Sequence, residues 1–231
     1  LFSYADSKIT FNNSNLRNTF LDGKMTGHIK LLPYFDFDLD LNLNSINFST
    51  LSTNFFALNE EDQKKLFKIN SKINGKLDLI VNKIYSKHSL IKSIESRLRF
   101  TNGSLFVEQF LINLGKLGAA DILGTLSNDN NFTNFKFESN IYLDNKRKFF
   151  SKFGVYNKED VSSDSFVSGG FNFNNYKMSF YEISAKDKLK EDDIDYIEKE
   201  FNDLMLSENL KSLFDFSKFK EFVRFVLSDE N

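Results

Sequence analysis

The sequence predicts a mainly β protein, an antiparallel sheet with one short inserted helix and a helical tail at the C-terminus. Three observations predict it. From Phe35 to Leu43 every odd residue is apolar and every even one polar. Asn102-Gly103 sits between two further alternating runs, and the spacing changes to a helical one after about residue 190. Strands point successive side chains to opposite faces, so strict alternation marks a half-buried strand with one wet face.

The alternation recurs along the body. Ile73, Gly75, Leu77, Leu79 and Val81 share one parity, as do Ile94, Ser96, Leu98 and Phe100. Asn102-Gly103 then predicts a type I′ hairpin, because both central residues of that turn need positive φ. Leu105 and Val107 resume the stripe, and it moves to Phe110, Ile112 and Leu114. A bulge or short turn near Glu108-Gln109 accounts for the shift. Ile122, Gly124 and Leu126 form a short run, and Phe135 to Leu143 a longer one. Phe171 and Phe173 lead into Asn174-Asn175, with Tyr176, Met178 and Phe180 beyond, which reads as another hairpin. Short strands with short connections describe antiparallel meanders, not a doubly wound parallel sheet.

Two stretches break this rhythm. Asn59 is placed to cap a helix through Ile69, with Glu60, Glu61 and Asp62 in its first turn and lysines later, the order that suits a helix dipole. In the tail, Ile194, Ile197, Phe201, Leu204 and Met205 follow amphipathic helical spacing, and Phe219, Phe222, Val223 and Val226 form a stripe on a second helix from about Ser217. The apolar face of this tail needs a partner: the sheet body, the end of a groove, or another protein. Charge separates the same two segments. Residues 1–185 carry 22 Lys/Arg against 19 Asp/Glu, whereas residues 186–231 carry 8 against 13. The expected organisation is therefore a strand-rich body over 1–185 and an acidic helical tail over 186–231.

Composition removes several function classes. The formal charge of −2 gives no basic field to draw in nucleic acid. Cysteine is absent, which excludes disulfides, Cys-zinc sites and thiol catalysis. No run of about 18 apolar residues occurs. The chain starts at Leu1 and reads as a piece of something longer, so the lack of a signal peptide excludes no compartment.

A search for chemistry finds no catalytic constellation. His28 and His88 are far apart and lack a Glu-x-x-His pattern. Asp36, Asp38 and Asp40 would project from one strand face at intervals of about 6.7 Å, spread out where calcium wants ligands converging on one point, so they read as a solvated face. Gly115-Lys116-Leu117-Gly118 lacks phosphate-loop spacing and reads as a tight turn between strands, as does Gly169-Gly170. Lys146-Arg147-Lys148 is a small basic cluster beside Phe149 and Phe150, read as a solvated loop that could touch anionic headgroups. No enzyme, metal or cofactor is expected.

The order of motifs resembles a family. Ile-Asn-Gly-Lys-Leu-Asp-Leu from Ile73 is followed by Ser-Leu-Ile-Lys-Ser-Ile at 89–94 and by Leu-Arg-Phe-Thr-Asn-Gly-Ser-Leu at 98–105. A Gly-rich turn and Leu-Gly-Thr-Leu close the series by Leu126. This is similar to the C-terminal region of AsmA-like proteins, relatives of the TamB-type intermembrane bridge proteins, over roughly residues 20–185; the tail matches nothing in it. The resemblance implies a long curved sheet with an apolar groove, phospholipid transport between inner and outer membrane, and a role in outer-membrane assembly. It also implies the periplasm of a Gram-negative bacterium, in a protein anchored in the inner membrane by a segment this chain lacks.

Two readings stay open. In the first, phospholipid acyl chains lie in an open groove lined by Ile73, Leu77, Leu79, Ile94, Leu98, Phe100, Leu105, Val107, Phe135, Phe137, Ile141, Leu143, Phe171 and Phe173. In the second, the same stripes pack into a closed β-sandwich, a structural module whose acidic helical tail docks on another protein, a membrane or periplasmic protein partner. Alternation alone does not separate a closed core from an open groove.

Overall fold

A computed structural model describes residues 2–87, 90–129, 132–185 and 187–228. Half of the chain is strand and about a quarter helix, and the strands form one open, curved, twelve-stranded sheet. In chain order they are β1 (Phe2–Ala5), β2 (Lys8–Arg17), β3 (Leu21–Lys30), β4 (Phe35–Asn47), β5 (Ile73–Val81), β6 (Ile84–Tyr85), β7 (Ser93–Thr101), β8 (Ser104–Asn113), β9 (Gly118–Asp129), β10 (Phe132–Leu143), β11 (Ser163–Asn172) and β12 (Lys177–Ser184). Their order in the sheet follows the chain, with short β6 beside β4, off the main path.

The pairing is antiparallel with one break. β4 and β5 run parallel, Phe37 opposite Gly75 and Leu41 opposite Leu79, and β6 also pairs with β4 in parallel. A parallel pair needs a crossover from one end of the sheet to the other. Residues 48–72 supply it, with two helices where one was expected: α1 (Phe48–Phe56) and α2 (Glu60–Leu66). Asn47 caps α1 by accepting from the Thr50 N–H, and Asn59 caps α2 by accepting from the Asp62 N–H. Glu60 and Lys64 pair one turn apart at 2.7 Å, consistent with the charge order read from sequence.

Turn chemistry follows the sequence in most places. Asn102 and Gly103 take φ of 50° and 83° between β7 and β8. The register slips between Val107 and Phe110 against β9, which places the expected bulge. Gly115–Leu117 form a single 3-10 turn from β8 to β9. Two readings change. Gly169-Gly170 lie inside β11 and not in a turn, opposite a bulge at Tyr181 of β12, where a Cβ on Gly169 would lie 2.5 Å from the Ser179 carbonyl and one on Gly170 would strike the Tyr181 hydroxyl. Lys146–Lys148 open a helix, α3 (Lys146–Ser151), capped by Asn145, so they are not a loop. His88 lies outside the described residues.

The tail forms α4 (Glu191–Met205) and α5 (Phe216–Ser228), joined by an extended stretch and one 3-10 turn. α4 lies along the edge of β12. The Asn202 amide accepts from the Met178 N–H and donates to the Met178 carbonyl, both at 2.9 Å, while Glu198 accepts from the Phe180 N–H. These side chains take the place of a further strand and cap the edge.

Candidate functional site: the apolar inner face

Register turns the alternating stripes into rows. Residues directly opposite one another on neighbouring strands point to the same face. One row runs Phe37, Gly75, Phe100, Leu105, Leu126, Phe135, Phe171, Met178. The next runs Leu39, Leu77, Leu98, Val107, Gly124, Phe137, Gly169, Phe180, and the third Leu41, Leu79, Ser96, Phe110, Ile122, Ser139, Val167, Ile183. A fourth runs Leu43, Val81, Ile94, Ile112, Ala120, Ile141. Ile73, opposite Phe35, and Leu143, opposite Gly118, sit beyond the two ends of this field. Phe173 stands in the turn after β11.

Eleven of the fourteen residues expected to line a groove therefore share these four rows, whereas Ile73 and Leu143 flank the rows and Phe173 lies outside them in the turn. Phe37, Leu39, Leu41, Phe110, Ile122, Val167, Phe180 and Ile183 belong to the same rows. Phe110 and Ile122 were legible as a stripe whose face the bulge obscured; Val167 was hidden among serines and glycines.

Glycines shape this floor. A Cβ on Gly124 would lie 2.6 Å from the Phe135 ring, and one on Gly75 2.7 Å from the Phe37 ring. Aromatic side chains thus lie down over their glycine neighbours and fill the space a side chain would take. Phe37 reaches across Gly75 to Phe100, with ring centroids 5.3 Å apart.

The chain's own segments cover part of the face. The crossover brings Phe55, Phe56 and Phe67 onto a cluster of Phe171, Tyr176, Leu206 and Leu210. Phe214 of the tail packs against Phe48 and Phe56 of α1 at 5.5 and 5.2 Å. At the opposite end Leu43, Val81 and Ile84 form a second buried cluster. Between these ends the rows are partly buried: Leu39, Leu77, Leu98, Val107 and Phe137 keep some exposure, while Ser96 and Ser139 of the third row are buried. The accessible surface is 14167 Å², against roughly 10,800 Å² for a compact monomer of this mass. The excess belongs to an open sheet rather than to a sandwich of two sheets.

Polar groups on this face are few. The Ser96 and Tyr176 hydroxyls are buried without a hydrogen-bond partner among the described residues. Burial pushes the Tyr176 phenol above its ordinary value, partly opposed by Lys64, whose ammonium lies 4.9 Å from the ring centroid. Across β3, β4 and the first half of β5 the opposite face is polar: Asp36, Asp38 and Asp40 stand across from Lys30, His28 and Thr26 on β3 and from Asn74, Lys76 and Asp78 on β5. Among the described residues no group of His, Asp and Glu is arranged to hold a metal, and no helix is long and apolar enough to cross a membrane. Comparison with protein-family models, with curated proteins and with solved structures finds no match.

Proposed function

We propose that this chain is a lipid-handling segment that holds phospholipid acyl chains along its inner face, without catalysis. The observation that carries this reading is the field of apolar rows, eight strands wide and only partly covered, on a single open sheet. Keeping an acyl chain in water costs about 0.8 kcal/mol per CH₂. A continuous floor of Leu, Val, Ile and Phe removes most of that cost while gripping no particular headgroup. The AsmA-like motif order supports placing the chain in the periplasm, as part of an inner-membrane-anchored protein serving phospholipid transport and outer-membrane assembly.

The competing reading is a closed structural or protein-interaction module, in which α1, α2 and the tail are simply the second layer of a core. One comparison separates the two. Mass spectrometry of the detergent-free protein should find near-stoichiometric phospholipid, and Leu98→Asp should lose that lipid while the sheet stays folded by circular dichroism. Lipid-free protein, or a Leu98→Asp variant that unfolds because a carboxylate enters a packed core, favours the closed module.

A further inference from the structure

We infer that the end of the molecule built from α3, the turn at Gly154 and α5 is a docking surface for an anionic lipid bilayer. Lys148 and Lys152 stand one helical turn apart at the end of α3, and Lys220 and Arg224 stand one turn apart on α5. The fold joins these pairs although about 70 residues separate them. The Arg224 guanidinium donates to the Gly154 carbonyl at 3.4 Å. A Cβ on Gly154 would lie 3.2 Å from the Lys220 ammonium. Phe153, fully buried, fixes the junction through Phe216 and Phe219 of α5, at 5.5 and 5.3 Å.

Neutralisation stops short of these four cations. Lys146 pairs with Glu159 at 2.6 Å and Arg147 with Asp160 at 3.3 Å. Lys148, Lys152, Lys220 and Arg224 have no ion pair among the described residues, and Glu221 is the one carboxylate within α5. Like charges one turn apart repel, and Lys220 and Arg224 close on the turn that follows Lys152. An anionic surface reverses the sign of that cost. The rest of the tail is acidic, so the attraction is local to this end.

Apolar groups decide the kind of anion. Tyr156 is 80% exposed and Val161 52% exposed on the segment that follows Gly154. An exposed aromatic ring beside cations suits the headgroup level of a bilayer, where ring and charge are both satisfied. α3 leaves the end of β10 at Leu143, where the inner-face rows terminate, so docking here would bring that end of the sheet to the membrane. Vesicle binding nevertheless stands or falls independently of whether the inner face carries lipid.

The test is co-sedimentation of the full chain with vesicles of mixed phosphatidylglycerol and phosphatidylcholine, and with pure phosphatidylcholine, at low and high salt. Binding to the anionic vesicles alone, lost at high salt, is expected. Lys148→Glu with Lys220→Glu should weaken it by roughly fivefold or more per charge removed. Tyr156→Ala should weaken what binding survives at moderate salt. Should the charge reversals perturb folding, Lys148→Gln with Lys220→Gln serves the same purpose. The proposal is overturned if the chain ignores anionic vesicles, if the charge variants bind unchanged, or if a single-stranded oligonucleotide competes fully with vesicles. Leu98→Asp, run in parallel, should retain vesicle binding even where it loses co-purified lipid.

Discussion

The Phe67 ring lies on the Phe173 ring, centroids 4.1 Å apart and planes 29° from parallel. Phe67 belongs to the crossover that enters β5, whereas Phe173 belongs to the turn leaving β11. Five strand spacings, about 24 Å on a flat sheet, separate those strands. Lys64 extends the bridge, donating to the Asn174 carbonyl at 3.0 Å. The crossover therefore spans the sheet at this end and ties its two halves together. Phe67→Ala should cost about 2 kcal/mol, and a double-mutant cycle with Phe173→Ala should return a coupling of about 1 kcal/mol in denaturant unfolding.

Gly124 should resist even alanine. Alanine normally stabilises a strand relative to glycine, but a Cβ here would meet the Lys136 carbonyl and the Phe135 ring at 2.6 Å. Backbone cannot step aside as a flexible side chain can. Gly124→Ala should therefore destabilise by roughly 1–3 kcal/mol, seen as a lower denaturation midpoint.

Tyr176 predicts the alkaline limb of stability. Its phenol is raised above the ordinary 10.0, chiefly by burial, with the Lys64 charge opposing. A raised folded value means that the contribution is full below the unfolded phenol's value and is lost as pH rises from there through the folded one. Tyr176→Phe should flatten this decline in thermal melts taken at increasing alkaline pH. Because the hydroxyl has no hydrogen-bond partner among the described residues, the same change should leave stability at neutral pH unchanged or raise it by about 1 kcal/mol.

Asn202 guards the β12 edge. Asn202→Ala strips both partners from the Met178 backbone and should cost about 2 kcal/mol. It also uncovers a strand edge, so concentration-dependent association should appear in sedimentation velocity.

Much of the sheet was legible because its strands keep strict parity. β4, β5, β7 and β10 announce themselves in Phe35–Leu43, Ile73–Val81, Ile94–Phe100 and Phe135–Leu143. β2 and β3 escaped notice for physical reasons. β2 carries a register shift between Phe11 and Ser14, which scrambles its alternation. β3 places Gly23 and Gly27 on the inner face, where a Cβ would strike the β4 backbone, so its apolar stripe is diluted. α1 escaped because Phe48–Phe56 is rich in Ser, Thr and Phe, poor helix formers, and is held by contacts with Leu43, Val81 and the tail. The fourteen residues expected to line a groove were legible as stripes; the assembly of eleven of them into rows was not, since register depends on bulges and on the parallel pair. The basic end was half legible: Lys146–Lys148 stood out, while Lys220 and Arg224 join them only in the fold, at Phe153 and Gly154.

The parallel pairing of β4 with β5 divides the molecule in time as well as in space. β1 to β4 form one antiparallel series, and β5 with β7 to β12 another. Either series can zip up from contacts close in sequence. Their junction cannot, because Phe37 meets Gly75 only after a connection holding two helices has been laid across the sheet. Contacts so distant along the chain are entropically the costliest to close. The seam at β4 and β5 is thus where the halves, already formed, must find their relative register, and a slip of one residue there would turn one apolar face outward.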